Sequence, residues 1–387
     1  MYSMNSQSNR RQFLKSIISI GIAAPSLTAA STSYGFLPES WFTENERWLS
    51  AQGNNPENYG LGFIEQNQYQ ALNSKFRGHG LCQNPSLDHQ VVMFSRRPGT
   101  TGLVVNTRTM EAEITFESEQ DHHMHGHGCF SADGLFLFTA ESNYKTGQGV
   151  ITIRDTKDFK IIKTLSSYGI GPHEIALMPD NTTLVIANGG LLTHPESGRK
   201  VLNLETMQFN LSFINWHNGK LLKQMTAPEP KASIRHLDVA PDGTVAIAMQ
   251  VQRNAMQHNK LVPLAAVVKP SATTLTLLHA PEPVLQKMND YVGSIRINSD
   301  TSTLAMTSPK GDVALFYDLH DTKLKDIHAF HDVCGLTIST DKQYFILSNS
   351  AGKIRHINSH SFKELKAKRL HFPNQQWDNH MITLAHN

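Results

Sequence analysis

Short apolar runs separated by polar turns recur along the chain from about residue 60 onward. Most runs have four to eight residues rich in Val, Ile, Leu and Phe, and many of them follow a turn that contains an aspartate. Runs of this length and composition between turn residues indicate β-strands. No stretch sustains the 3.6-residue apolar spacing of an amphipathic helix, which disfavours helical and α/β folds. The pattern predicts an all-β protein.

The strand pattern is also a repeat. Its clearest copies lie at 126–134 and 172–180, and further copies lie at 235–243, 293–300 and 334–341. The turn aspartates of these copies are separated by 47, 62, 58 and 41 residues; they are Asp133, Asp180, Asp242, Asp300 and Asp341. This spacing is typical of a four-stranded propeller blade, with insertions in the longer intervals.

The two ends of the repeat region complement each other. A looser first copy begins near His79, and a last innermost strand at 377–384 has no successors. Strands at 61–65 and 69–76 are available to complete the sheet of that last strand. A blade built from both termini closes a propeller and removes its open sheet edges. We therefore predict a seven-bladed β-propeller over residues 60–387.

Histidine is unusually frequent, with 20 residues between His79 and His386. The residues at the starts of the seven innermost strands are His79, His127, His173, His236, Ser294, Cys334 and His380. Innermost strands line the channel and start on one face, so these side chains should converge. Imidazole and thiolate are ligands for iron, copper, zinc and nickel.

The convergence predicts a metal site made of the five histidines, with Cys334 completing the set. Glu174, Asp332 and Asp378 would orient the imidazoles. A polar, water-filled channel is the alternative. The segment 122–127 adds His123 and His125, either as a separate metal site or, as we favour, in a solvated loop from which only His127 points inward.

Loops between the second and third strands of the blades open on the same face as the histidines. These loops and the adjoining strand starts are polar, which suits a small polar or anionic ligand above the channel. The candidate ligand-binding residues are Arg97, Glu141, Asn188, His194, Arg199 and Arg235.

The N-terminus predicts export. Arg10 and Arg11 precede a phenylalanine, a leucine and an apolar run that is too short to span a bilayer, which is the layout of a twin-arginine signal at 1–30. A polar linker should follow at 31–59, with Trp41 and Trp48 packing onto the propeller. Removal of the signal leaves 32 basic against 33 acidic residues. We expect a periplasmic protein that binds neither nucleic acid nor, after cleavage, the membrane.

The chain resembles the bacterial family called domain of unknown function 1513, whose members carry a twin-arginine signal. The resemblance rests on strings such as those at 77–79, 126–128, 169–174, 187–190, 233–237, 332–335 and 378–380. It implies a propeller similar to the quinoprotein amine dehydrogenase and YVTN type, often encoded near imelysin-type iron-uptake proteins. No activity comes with the resemblance.

Three functions stay open at this stage. The first is periplasmic metal binding, with iron or copper favoured over zinc, in metal acquisition beside other uptake proteins. The second is a lactonase- or oxidoreductase-like enzyme, although no Gly-x-Ser-x-Gly elbow or zincin motif is present. The third is a non-catalytic platform for a partner protein. We expect a monomer.

Overall fold

The computed structural model of the protein describes residues 46–385. The predicted signal at 1–30 and residues 31–45 of the predicted linker, with Trp41 among them, lie outside this range, as do residues 386–387. Twenty-eight strands form seven four-stranded antiparallel sheets in a ring. The predicted seven-bladed β-propeller is confirmed. Across the described range, no helix has the length and apolar character needed to cross a membrane.

Six blades consist of four consecutive strands, each running outward from the channel in chain order. Blade 1 contains β4 (Gly78–Asn84), β5 (Leu87–Ser95), β6 (Thr101–Asn106) and β7 (Glu111–Glu117). Blade 2 contains β8 (His122–Phe130), β9 (Phe136–Asn143), β10 (Gln148–Asp155) and β11 (Ile161–Ser166). Blade 3 contains β12 (Pro172–Leu177), β13 (Thr183–Asn188), β14 (Asn210–Asn215) and β15 (Leu221–Met225).

The next three blades repeat the same order. Blade 4 contains β16 (Ala232–Val239), β17 (Val245–Val251), β18 (Ala265–Val268) and β19 (Thr276–Leu277). Blade 5 contains β20 (Ser294–Asn298), β21 (Thr303–Ser308), β22 (Val313–Asp318) and β23 (Leu324–Ala329). Blade 6 contains β24 (Val333–Ile338), β25 (Tyr344–Asn349), β26 (Lys353–Asn358) and β27 (Leu370–His371).

Blade 7 closes the ring with strands from both ends of the chain. Its order is β28 (Trp377–Ala385), β1 (Glu46–Gln52), β2 (Gly60–Glu65) and β3 (Gln68–Asn73). The innermost strand β28 contacts β24 on one side and β4 on the other. Each blade therefore has two neighbours, which confirms the predicted closure by both termini.

Strand β1 lies inside the stretch that we expected to be a linker, so the propeller includes Glu46–Gln52 and does not start at residue 60. The strand does not form an apolar run in the sequence because its buried residues include Glu46 and Arg47. Arg47 donates from Nε to Glu65 over 3.0 Å, and Glu46 accepts from the Thr340 backbone N–H over 2.7 Å. Trp48, as expected, packs on the propeller, with its ring 5.0 Å from that of His356.

Burial follows the position of a strand within its blade. Middle strands such as β13 and β21 are buried on both faces, because each blade is sandwiched between two neighbours. Outer strands such as β23 alternate between half-buried and exposed residues, the period of two expected for a strand with one solvated face. The core thus lies between the blades.

Helical segments are confined to loops. The one α-helix of residues 46–385, α1 (Glu282–Met288), buries Leu285 and Met288 and ends at Asn289 in the left-handed conformation. The same range contains four short 3-10 helices, at Pro195–Ser197, Arg253–Ala255, Pro309–Gly311 and Lys366–Lys368.

Candidate metal centre and ligand cavity

Bulges interrupt six of the seven innermost strands near the residues predicted to face the channel. In β8, Met124 pairs with Glu141 and Gly128 pairs with Thr139, so His127 lies in a bulge that is not paired with β9. Comparable register shifts lie next to His79, His173, His236, Cys334 and His380. Strand β20, which begins at Ser294, pairs with β21 without a shift. Because a bulge re-aims a side chain, these bulges direct the histidines toward the axis.

Two glycines let the bulged strands approach each other. Gly126 has a φ of +94°, a left-handed conformation that suits glycine. A β-carbon added to Gly80 would lie 2.4 Å from the carbonyl oxygen of Gly126 and 2.8 Å from Nδ1 of His127. The Gly-His-Gly strings of β4 and β8 therefore serve the close packing of His79 and His127.

The five predicted histidines form one buried cluster around His127. The His127 ring centroid lies 4.6 Å from that of His380, and the other three are slightly farther away: His173 at 4.8 Å, His79 at 4.9 Å and His236 at 5.4 Å. None of the five is more than 5% exposed. The predicted convergence of the histidines is thus present in the fold.

Two overlapping groups within the cluster could hold a metal ion. One is His79, His127 and His380, and the other is His127, His173 and His236. In each group one ligand atom per residue lies within 4.8 Å of the others. Three of the ring nitrogens are buried without a hydrogen-bond partner in the described part of the chain: Nε2 of His127, Nδ1 of His173 and Nε2 of His380. Buried polar atoms rarely stay unpaired in proteins.

Two carboxylates orient the imidazoles from outside. Nδ1 of His79 lies 2.6 Å from Asp378, and Nδ1 of His236 lies 3.0 Å from Glu174. The second Glu174 oxygen is 3.7 Å from Nδ1 of His127. A proton held on Nδ1 by a carboxylate leaves the Nε2 lone pair for a ligand. Glu174 and Asp378 thus contact the rings as predicted, whereas Asp332 accepts from Ser350 and contacts no ring of the cluster.

Burial keeps the cluster in its neutral form. Desolvation lowers the pKa of His127, His173, His236 and His380 well below the ordinary value of 6.5. It also lowers the pKa of His79, where the Asp378 carboxylate opposes it. Neutral imidazole is the form that binds metals.

These shifts make stability sensitive to acid. The cluster histidines protonate near pH 6.5 in the unfolded chain but only at lower pH in the folded one, so the unfolded state binds more protons below pH 6.5. We expect the melting temperature of metal-free protein to fall between pH 7 and pH 5, with up to about 1.4 kcal/mol per pH unit from each histidine. Thermal denaturation followed by circular dichroism measures it. His236→Asn should reduce the slope and the exposed-site control His360→Asn should not; a melting temperature independent of pH would contradict the expectation.

A cavity of about 150 Å³ adjoins the cluster. Its lining combines histidines with arginines and neutral polar side chains: His79, Arg96, Arg97, His125, His173, Arg199, Arg235, His236, Gln250, Tyr291 and Asn379. Three of the predicted ligand-binding residues, Arg97, Arg199 and Arg235, are in this set. They come from three separate parts of the chain, which the ring brings together.

The other predicted ligand-binding residues do not line the cavity. Glu141 is fully buried inside blade 2 and pairs with Arg154 over 3.1 Å. The Asn188 amide donates to the Ser167 carbonyl oxygen over 2.8 Å. His194 accepts from the Glu196 backbone N–H and caps a 3-10 helix. Each of these side chains forms hydrogen bonds with local partners that do not line the cavity.

Cys334 belongs to neither histidine group. Its sulfur lies 3.7 Å from the Trp377 carbonyl oxygen and 3.8 Å from that of Ser348. Burial raises the pKa of the thiol far above its ordinary value, which disfavours the thiolate that a metal requires. The bulge at this position thus does not bring a sulfur ligand into the cluster.

The segment 122–127 is buried, so our preference for a solvated loop was wrong. His123 is fully buried, and His125 lines the cavity with its Nε2 2.7 Å from the Ser142 hydroxyl. The remaining cavity residues outside our prediction are Arg96, Gln250, Tyr291 and Asn379. Each of these four residues lies in or next to a candidate loop or an innermost strand. That position in the repeat is the sequence feature that could have identified them as cavity residues.

Comparison with known proteins agrees with this fold. Residues 73–384 match the family described as "Protein of unknown function (DUF1513)". The chain belongs to this family. No curated protein matches the sequence. Among solved structures, the chain is similar to Kuenenia stuttgartiensis hydrazine synthase, with a TM-score of 0.62 and 13% identity over 81% of this chain and 92% of that one. At that identity the likeness concerns the fold alone.

Proposed function

We propose that this DUF1513 protein binds one transition-metal ion at the histidine cluster. The observation that carries the proposal is the set of unpartnered, buried nitrogens on His127, His173 and His380. Leaving a buried polar group unpaired costs about 1–3 kcal/mol. A cation in either histidine group would give two of these nitrogens a partner without the addition of a proton, those of His127 and His380 in one group and those of His127 and His173 in the other.

The stoichiometry follows from the shared ligand. Both histidine groups contain His127, and a neutral imidazole has only one lone-pair nitrogen. The two groups are therefore alternative positions for a single ion. A donor set of imidazole nitrogens without thiolate suits iron, copper, zinc or nickel. Our proposal is iron, because the family resemblance connects such propellers with iron-uptake proteins, or copper, which imidazole nitrogens also bind.

The biological setting is part of the proposal. The twin-arginine layout of residues 1–30 supports export of the folded protein to the periplasm. There the protein would act as a monomer in metal acquisition, passing its ion to or from other uptake proteins. Catalysis is not needed for this role.

Elemental analysis tests the metal proposal. Protein exported with its own signal and purified without chelator or histidine tag is examined by plasma mass spectrometry, and metal-free protein is then titrated with Fe(II), Cu(II) and Zn(II). We expect about one equivalent of iron or copper per chain. A protein that retains no ion, either as purified or after reconstitution and desalting, would overturn the proposal. Retention of zinc alone would overturn the proposed metal identity.

A further inference from the structure

The charge of the cavity above the histidines is unbalanced. Four of its lining residues are arginines and none is acidic: Arg96, Arg97, Arg199 and Arg235. Arg96 is the exception in having a partner, because it donates to Asp378. The other three form no ion pair within residues 46–385. A positively charged, partly enclosed space of this kind attracts anions.

Arg235 is the most informative of these residues. Its side chain is buried, and its Nε and Nη1 atoms have no hydrogen-bond partner in the described structure. Nη1 of Arg97 is likewise buried and unpartnered. Burying an unpaired guanidinium is costly, and buried charges in proteins are normally paired. The unpaired donors are therefore more readily explained as ligand contacts than as structural elements.

The arginines also disfavour one another's charge. Burial, with Arg199 next in importance, lowers the pKa of Arg97 to about 10. Burial and then Arg97 lower the pKa of Arg235 well below its ordinary value. An anion between the guanidinium groups would relieve both effects.

We infer that this cavity binds a small, multiply charged oxyanion, such as phosphate or a short polycarboxylate, through Arg97, Arg199 and Arg235. Guanidinium groups recognise the oxygens of both classes in pairs of parallel hydrogen bonds. The volume of about 150 Å³ is below the roughly 300–1,000 Å³ of pockets for drug-sized ligands, so the anion is small. Gln250, Tyr291 and Asn379 offer further polar contacts.

The cavity and the proposed metal site share residues. His79, His173 and His236 belong both to the cavity lining and to the histidine groups. An anion held by the arginines would therefore have oxygens directed toward a bound ion, as a metal chelate does. This coupling rests on the proposed metal site, whereas binding of the anion by the arginines does not.

Calorimetric titration tests the inference in a buffer free of competing oxyanions. Metal-free protein is titrated separately with inorganic phosphate, oxalate and citrate, which distinguishes a phosphate site from a carboxylate site. We expect at least one of them to bind with a submillimolar Kd and to raise the melting temperature. Arg235→Gln should weaken binding at least about tenfold. The control Arg108→Gln, at an exposed arginine paired with Asp88, should not.

Two further measurements exclude a merely structural effect. Arg199→Gln removes an exposed side chain at the rim and should also weaken binding while leaving the circular dichroism spectrum unchanged. Arg235→Gln should not lower the melting temperature of the anion-free protein, because it removes an unpaired charge. Failure of all three anions to bind, with and without metal, would overturn the inference. Anion binding by a protein that retains no ion even after reconstitution with metal would overturn only the metal proposal.

Discussion

Replacing His127 with alanine should abolish stoichiometric metal binding. His127 is the one residue common to both histidine groups, and its ring lies within 5.4 Å of the other four ring centroids. Substitution of residues that only orient metal ligands typically costs 10–100-fold in affinity, so loss of a shared ligand should cost more than about 100-fold. Titration of metal-free protein with Fe(II) and Cu(II), read by plasma mass spectrometry after desalting, measures the loss.

The matched control is His360→Ala. It removes one histidine from the exposed surface of blade 6 and should leave metal content unchanged. A second variant, His173→Ala, removes a ligand from only one of the two groups. It should bind metal if the ion lies among His79, His127 and His380, and should lose metal if the ion lies in the other group. Full metal content in a folded His127→Ala protein would contradict the proposed site.

Replacing Glu141 with alanine should destabilise the fold by about 3–5 kcal/mol without changing metal affinity. Glu141 accepts from Arg154 over 3.1 Å and from the Thr139 hydroxyl over 2.6 Å, with no exposure of its side chain. The substitution strands Arg154, which is 1% exposed and packed over the Phe116 ring. An uncompensated charge at this depth is expensive. Urea denaturation, with metal titration of the folded protein, measures both quantities.

The double variant Glu141→Leu/Arg154→Met tests whether the unpaired Arg154 charge causes the loss of stability in Glu141→Ala. Replacing both charges with apolar residues of similar size removes the stranded charge, so this protein should be more stable than Glu141→Ala alone. If Glu141→Ala instead weakened ligand binding at unchanged stability, Glu141 would have the ligand-binding role that its position in the sequence had indicated.

The blade repeat was predictable because it depends on local features. Each copy carries its own strand pattern and its own turn aspartate, and the starts of the innermost strands could be aligned from copy to copy. Five of those starts are histidines, and closure of the ring then requires them to meet near the axis. The cluster around His127 followed from this alignment without any knowledge of distances.

Side-chain partners from distant parts of the chain were not predictable in the same way. Glu141 and Arg97 both lie next to loops that open on the same face as the histidines, and the sequence therefore indicated both as candidates for ligand binding. Glu141 pairs with a guanidinium inside its own blade, whereas Arg97 lines the cavity, where Arg199 and Arg96 lower its pKa. Strand β1 was not predicted for a related reason. Its Arg47 is charged, and its burial depends on pairing with Glu65 on the neighbouring strand.

The sequence by itself therefore determined the all-β class, the seven blades, the closure by both termini and the convergence of five histidines. The tertiary structure alone decided that bulges aim those histidines inward, that Cys334 faces backbone carbonyls, and that four arginines and no acidic residue line the cavity. The physical reason is the separation along the chain of the residues that interact. Strand and turn preferences act over a few residues and repeat with the blade, whereas ion pairs, bulge registers and cavity charge depend on residues that meet only after the ring has closed.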